Sequence, residues 1–244
     1  MKRFICLYLF VLGANCSFTE SRIKLYTFFT ESHRVLLDHY FLPSLKSIND
    51  DFDIEVIEFE QDGHESHYMG SGWNTMMLNK VHLILRAIEE NWGSVFVYAD
   101  VDIQFFRPFA KDVLTLLGDN DFVVQRNYPD DRGYCAGFFI CRANEKTQQL
   151  WQKILDDMHA NPRYDDQTPM SKNLKEGTIP GLLYAPLGLE FFNIGILTDR
   201  RWNPGEEFQI PANIILHHAN WTVGMDNKIK QLEYVKALYK VQIS

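Results

Sequence analysis

The stretch VYADVDIQFF, residues 97–106, is a β-branched and aromatic run interrupted by two aspartates, Asp100 and Asp102. Its first half reads as a buried strand, and a buried carboxylate is costly unless a cation or hydrogen-bond donors offset its lost hydration. Residues i and i+2 of a strand point the same way, and where a strand ends in a turn both carboxylates can reach one hard cation. The plain alternative has one acid capping the turn while the other pairs with a cation such as Arg107.

The flanking segments alternate between strand and helix patterns. Residues 22–29 (RIKLYTFF) read as a strand, 32–48 as a helix with Leu36, Leu37, Tyr40 and Phe41 on one stripe, and 54–59 as a second strand. Residues 61–79 hold three glycines and no clear period, and so long a connection is usually functional or mobile. A helical period begins at Lys80, with Val81, Ile84, Leu85 and Ile88 on one face, and 94–98 is the strand that delivers the aspartates. Strand, helix, strand, helix, strand predicts a parallel, doubly wound sheet, in which ligands bind beyond the carboxyl ends of the strands. Further on, 122–126, 135–141 and 213–218 read as strands, and 145–159 and 228–241 as helices. The expected fold is one α/β domain, Rossmann-like and parallel in its first half, with a mixed sheet in its second.

At 244 residues and 46% hydrophobic, with 18 Phe and 11 Tyr, the chain can bury a large core. Its formal charge of −8 argues against nucleic acid as a partner, because backbone binding needs a basic face. At the N-terminus Lys2 and Arg3 precede an apolar stretch, Phe4 to Gly13, with small or polar residues to Ser17. This pattern predicts a signal peptide over 1–17, too short for a transmembrane span of roughly 20 residues; a first core element is the alternative. A signal peptide implies the secretory pathway, whether a Golgi lumen, a bacterial envelope or secretion. Cys135 and Cys141 on one extended run lie about 20 Å apart, beyond bridging distance, and are expected as packed free thiols.

Four segments carry a resemblance in order: SVFVYADVDIQFFRPF after the Lys80 helix, GYCAGFFICRAN, YDDQTPM, and ILHHANWTVGMDNKIKQL. Together they resemble the nucleotide-diphospho-sugar transferases of the GT-A fold with a D-x-D motif, and within these the retaining group that includes plant cell-wall xylosyl- and arabinosyltransferases. The resemblance spans about residues 22–235, which makes 18–244 the transferase domain. One departure is Cys135-Ala136 before Gly137, where relatives often have Asn-Ser or Asn-Thr.

The resemblance implies roles residue by residue. Asp102 and His218 would ligate Mn²⁺ or Mg²⁺, with Asp100 at the ribose and also near the metal; a carboxylate and imidazole set leans to Mn²⁺. His217 competes with His218, but strand neighbours face opposite sides, so only one can reach the ion. Gly224 and Lys228 would close on the diphosphate. Lys80, at a helix start where the macrodipole disfavours cations, would be explained by a ligand phosphate. Asp166 and Gln167 would hold the sugar and meet positive charge developing at its ring; alone, they read as a helix N-terminal turn. Asn220 would face the nucleotide sugar. His64 and His67 have metal-like spacing in a polar loop, and Trp73, Trp202 and Trp221 are sugar platforms or core.

The expected activity is therefore transfer of a sugar from a UDP- or GDP-sugar to a glycan or glycoprotein acceptor, with retention. The alternatives are an inactive nucleotide-sugar or glycan-binding protein of the same fold, and a metal-dependent phosphoesterase. Asn220-Trp221-Thr222 is formally a glycosylation sequon. If Asn220 faces the site it stays unmodified, and intact-mass analysis of that peptide should show no glycan; an added glycan mass contradicts the assignment.

Overall fold

Strand β3 (Val95–Ala99) is buried on both faces, and its alternation explains the layers around it. Val95, Val97 and Ala99 enter one core, while Phe96 and Tyr98 enter the other. A strand apolar on both sides needs cover on both sides, as in α/β sheets. The computed structural model describes residues 22–60, 72–130 and 132–243; the expected signal peptide and His64 and His67 lie outside the described residues.

β3 pairs in parallel with β1 (Lys24–Phe29), which pairs in parallel with β2 (Asp53–Glu58). On its other side β3 pairs antiparallel with β6 (Tyr134–Arg142), followed by β5 (Phe122–Arg126) and β7 (Tyr184–Pro186), giving the order β2-β1-β3-β6-β5-β7. A second sheet, β4-β9-β8, joins β4 (Ile103–Phe105), β9 (Leu216–His218) and β8 (Phe191–Asn193). The expected α/β class and mixed sheet are what is found.

Helix α1 runs over 34–48, in pieces Arg34–Leu36, Leu37–Phe41 and Leu42–Ile48, the middle piece more widely wound. Its Leu37 and Phe41 pack with Phe105, Phe191 and Leu216 on one face of the main sheet. Helix α2 (Trp73–Glu90) covers the other face with α4 (Glu145–Ala160), through Ile84, Ile88, Trp151 and Ile154. Each such side chain is worth about 1.5–3 kcal/mol of burial. Because α1 links β1 to β2 on one face and α2 carries the chain back on the other, the winding reverses between β1 and β3. That reversal opens a crevice at the carboxyl ends of these two strands.

The short elements depart from expectation. β4, β7 and β8 have three residues each, too few for a period to show. Helix α5 (Gln167–Glu176) follows α3 (Val113–Leu117) and α4 without an apolar stripe long enough to announce it. The last helix, α6 (Met225–Gln242), starts three residues before the expected 228. Cys135 and Cys141 are free and buried, as expected.

Away from the crevice, Asp121 joins three elements. Its carboxylate accepts from Leu183 N at 2.9 Å, Lys146 Nζ at 2.7 Å and Asn144 Nδ2 at 2.7 Å, and Asn144 in turn caps α4 through Lys146 N and Thr147 N. Burial pushes this carboxyl up, but the Leu183 N–H, Lys146 and Asn144 prevail and hold it below the usual carboxylate range. A depressed folded pKa means stability that is present above the unfolded value of about 4 and is lost as pH falls through the folded one. Asp121→Asn should cost about 1–3 kcal/mol at neutral pH. In denaturant titrations that difference should shrink as the pH drops below about 4; a pH-independent difference would count against the assignment.

Candidate active site

The two aspartates sit where β3 turns into β4, and that turn lets both carboxylates converge. Ile103 N bonds Asp100 O at 3.2 Å across the turn, and Asp100 N donates to Gly137 O of β6 at 2.7 Å. β4 then pairs antiparallel with β9, in the register Ile103↔His218, and Ala219 N donates to Asp102 O at 3.0 Å. This register sets His218 against the D-x-D turn. His217 faces away, with Nε2 3.2 Å from Gln231 Oε1 and its ring against Phe192, so His218 is the one of the two that lies beside the aspartates.

His218 Nε2 lies 3.1 Å from Asp102 Oδ1 and 3.8 Å from Asp100 Oδ2. The other Asp102 oxygen is ion-paired with Lys228, whose ammonium also donates to Ala219 O at 3.0 Å. Burial would push Asp102 up, but Lys228 and His218 outweigh it and hold the carboxyl well below its ordinary range. Burial would likewise pull His218 down, yet Asp102 and Cys135 carry the imidazole up to about 10. His217, buried beside His218, is pushed down to about 3.

One ligand atom from each of Asp100, Asp102 and His218 fits within 4.8 Å of the others. Ligands on opposite sides of one divalent ion lie about 4–5 Å apart, given bonds of roughly 2.0–2.6 Å, so the three fit a shared cation. Gly137 makes room for them. A Cβ there would overlap His218 Cε1 and come within 2.6 Å of Asp100 Oδ2, so only glycine lets β6 pass this close.

Lys80 is placed otherwise than the sequence suggested. α2 begins at Trp73, so Lys80 is an interior residue, not a helix-start cation, and the macrodipole argument for it falls away. Its ammonium is buried and lies 3.0 Å from Asp100 Oδ1 and 3.0 Å from Asp166 Oδ2. Burial would lower its pKa, but Asp100 and Asp166 prevail and raise it, so it stays charged. Tyr98 OH donates to the same Asp100 oxygen at 2.6 Å.

The acidic turn before α5 divides its work. Asp165 accepts from Thr168 N at 2.7 Å and serves the helix start, while Asp166 turns inward to Lys80. Burial pushes the Asp166 carboxyl up; Lys80 opposes this, and Asp165 and Asp100 add to it.

Lys80, Asp100, Asp102, Asp166 and His218 open on one cavity of about 630 Å³, which Gln167, Asn220, Gly224 and Lys228 also line. Gly224, at φ 89°, starts α6 there, a backbone geometry that favours glycine. Asn220 Nδ2 points to Asn127 Oδ1 and Cys135 Sγ, both at 3.4 Å. Trp221, at φ 56°, holds a costly left-handed conformation and donates Nε1 to Asn127 Oδ1 at 2.8 Å. Sequence reasoning gave no role to Gln125 or Asn127. Gln125 carried a readable signal, a buried amide after the apolar FVV run of its strand.

The nucleotide-diphospho-sugar transferase family matches the chain over residues 35–232. The chain belongs to this family. No curated protein matches it significantly. Solved structures share its fold at low identity. A glycosyltransferase involved in glycosylation of the major capsid of PBCV-1 has TM-score 0.53 and 11% identity, covering 87% of this chain and 99% of that one. The galactosyltransferase LgtC, solved with donor and acceptor sugar analogues, has TM-score 0.52 and 14% identity, covering 90% and 96%. The glycosyltransferase GlyE of Streptococcus pneumoniae TIGR4 has TM-score 0.53 and 15% identity; the match covers 91% of this chain but 62% of GlyE. The protein is thus a nucleotide-diphospho-sugar transferase with the GT-A architecture.

In this transferase Lys80 is the counter-ion of two carboxylates at once. Lys80→Met would leave both without it, at a cost of about 3–5 kcal/mol, a Tm loss of roughly 10 °C for a domain of this size. Calorimetry reads the difference. A shift below about 3 °C would show that the pair of ion contacts is not formed.

Proposed function

We propose that this transferase is metal-dependent and moves a sugar from a UDP- or GDP-sugar to a glycan or glycoprotein acceptor with retention of configuration, in the secretory pathway. The observation that carries the reading is the convergence of Asp100, Asp102 and His218 within 4.8 Å in a cavity that Lys228, Asp166 and Gln167 share. A divalent cation held there, Mn²⁺ or Mg²⁺, would supply Lewis-acid charge to the departing diphosphate.

The remaining work belongs to side chains. Lys228 lies one turn into α6, next to Asp102, so its ammonium can move from that carboxylate to a diphosphate oxygen as a point charge. Gly224 exposes the first N–H groups of the same helix, a favourable place for phosphate. Asp100, fixed by Lys80 and Tyr98, has its other oxygen available for the ribose or the cation. Asp166 and Gln167 border the sugar and offset charge developing at its ring. Since Asp166 is clamped by Lys80, its role here is electrostatic and positional, not nucleophilic. Same-face attack, with the leaving diphosphate accepting the acceptor's proton, then needs no side-chain base. Two-metal phosphoester chemistry is disfavoured, because Asp100, Asp102 and His218 are the one such ligand group among the described residues. No helix among the described residues is long and apolar enough to cross a membrane.

Thermal shift with UDP and GDP, each with and without Mn²⁺, should show stabilisation that needs nucleotide and metal together. Donor turnover should follow, with NMR of the product showing the donor's anomeric configuration. Asp102→Asn should lower turnover at least about 10²-fold, the scale of a lost transition-state electrostatic contact. Near-wild-type turnover in a folded variant would reject the metal assignment, and binding without turnover would favour a nucleotide-sugar binder.

A further inference from the structure

We propose that Gln125 is a positioning residue that orients His218, accepting a hydrogen bond from its Nδ1–H so that Nε2 is the nitrogen left to the cation. The inference rests on the metal-dependent reading above and adds a residue to it.

Its basis is a chain of three contacts. Gln125 is fully buried, and its Nε2 donates to Phe191 O at 3.0 Å and Phe192 O at 3.3 Å in β8. Two carbonyls on one side fix which end of the carboxamide is nitrogen, because an oxygen turned toward them would meet two acceptors. The amide oxygen must therefore face the imidazole, and it lies 3.0 Å from His218 Nδ1. An amide oxygen has no hydrogen to give, so Nδ1 is the donor. Cys135 Sγ, at 3.5 Å from the same nitrogen, is the weaker partner.

The backbone shows how the amide gets there. Pairing of β5 with β6 jumps from Val124↔Phe139 to Gln125↔Cys135, so residues 136–138 of β6 have no partner on β5. Bulges of this kind re-aim side chains beside active sites. Here the extra residues lie on β6 and leave Gly137 against His218 and Asp100, while Gln125 keeps the Val123 side of β5, which faces β8. A histidine that binds metal through one nitrogen is commonly held through the other, and losing that partner typically costs 10–100-fold in metal affinity.

Mn²⁺ binding measured by electron paramagnetic resonance, with UDP present, compares wild type with Gln125→Met. The variant should bind Mn²⁺ roughly 10–100-fold more weakly, while at saturating Mn²⁺ UDP binds equally to both. ¹⁵N NMR of His218 in the Mg²⁺-loaded wild type supplies a second readout that needs no variant to fold: Nδ1 should carry the proton. Unchanged Mn²⁺ affinity in folded Gln125→Met, or a wild-type His218 protonated on Nε2 instead, overturns the role of Gln125. Failure of the wild type to bind Mn²⁺ at all overturns the metal reading itself, and the two failures are distinct.

Discussion

The pairing of β4 with β9 is the constraint on which the site depends. It ties the D-x-D turn to the far end of the chain in one register, Ile103↔His218. Side chains alternate along a strand, so a slip of one residue would turn His217 to Asp102 and bury His218 against Gln231. Both faces of this small sheet oppose that slip. Leu216 packs with Phe191 in the main core, and His217 packs on Phe192 and bonds Gln231. Three-residue strands cannot set register alone; the side chains around them do.

Charge balance is the second organising fact. Asp100, Asp102 and Asp166 lie together at the crevice, and each meets a cation from an element other than its own. Lys80 from α2 bridges Asp100 and Asp166, while Lys228 from α6 and His218 from β9 serve Asp102. Like charges this close would otherwise repel, and the network holds them at fixed distances. It also couples the two ends of the donor site, because Lys80 links a candidate metal ligand to a residue placed at the sugar. That link ties the position of the D-x-D turn to Asp166 through Asp100 and Lys80.

Much of this was legible in the sequence, for identifiable reasons. β3 is apolar on both faces, so its position as the central strand follows from composition, and the polar break at Asp100 marks its end. His218 could be favoured over His217 only through the four-segment resemblance, since alternation states that one faces inward without saying which. The start of α2 was hidden because Lys80 stands where an apolar residue would continue the stripe. In fact Trp73, Met76, Met77 and Lys80 follow helical spacing, and all four line the cavity. The stripe was present, but it lines the site, with Met77 also packed against the core. Gln125 stood out locally as an amide after an apolar run, but its partners on β8 and β9 are reported by no local pattern around residue 125.

The central claim is that Asp100, Asp102 and His218 hold a cation against the donor's diphosphate. A crystal structure of the protein with Mn²⁺ and UDP tests it most directly, through the anomalous signal of manganese. The account predicts one manganese peak in bonding reach of Asp102 and His218 Nε2, with Lys228 turned from Asp102 to the diphosphate. A manganese peak elsewhere, or UDP seated in the cavity with the Asp102–Lys228 pair intact and no metal beside it, would contradict it.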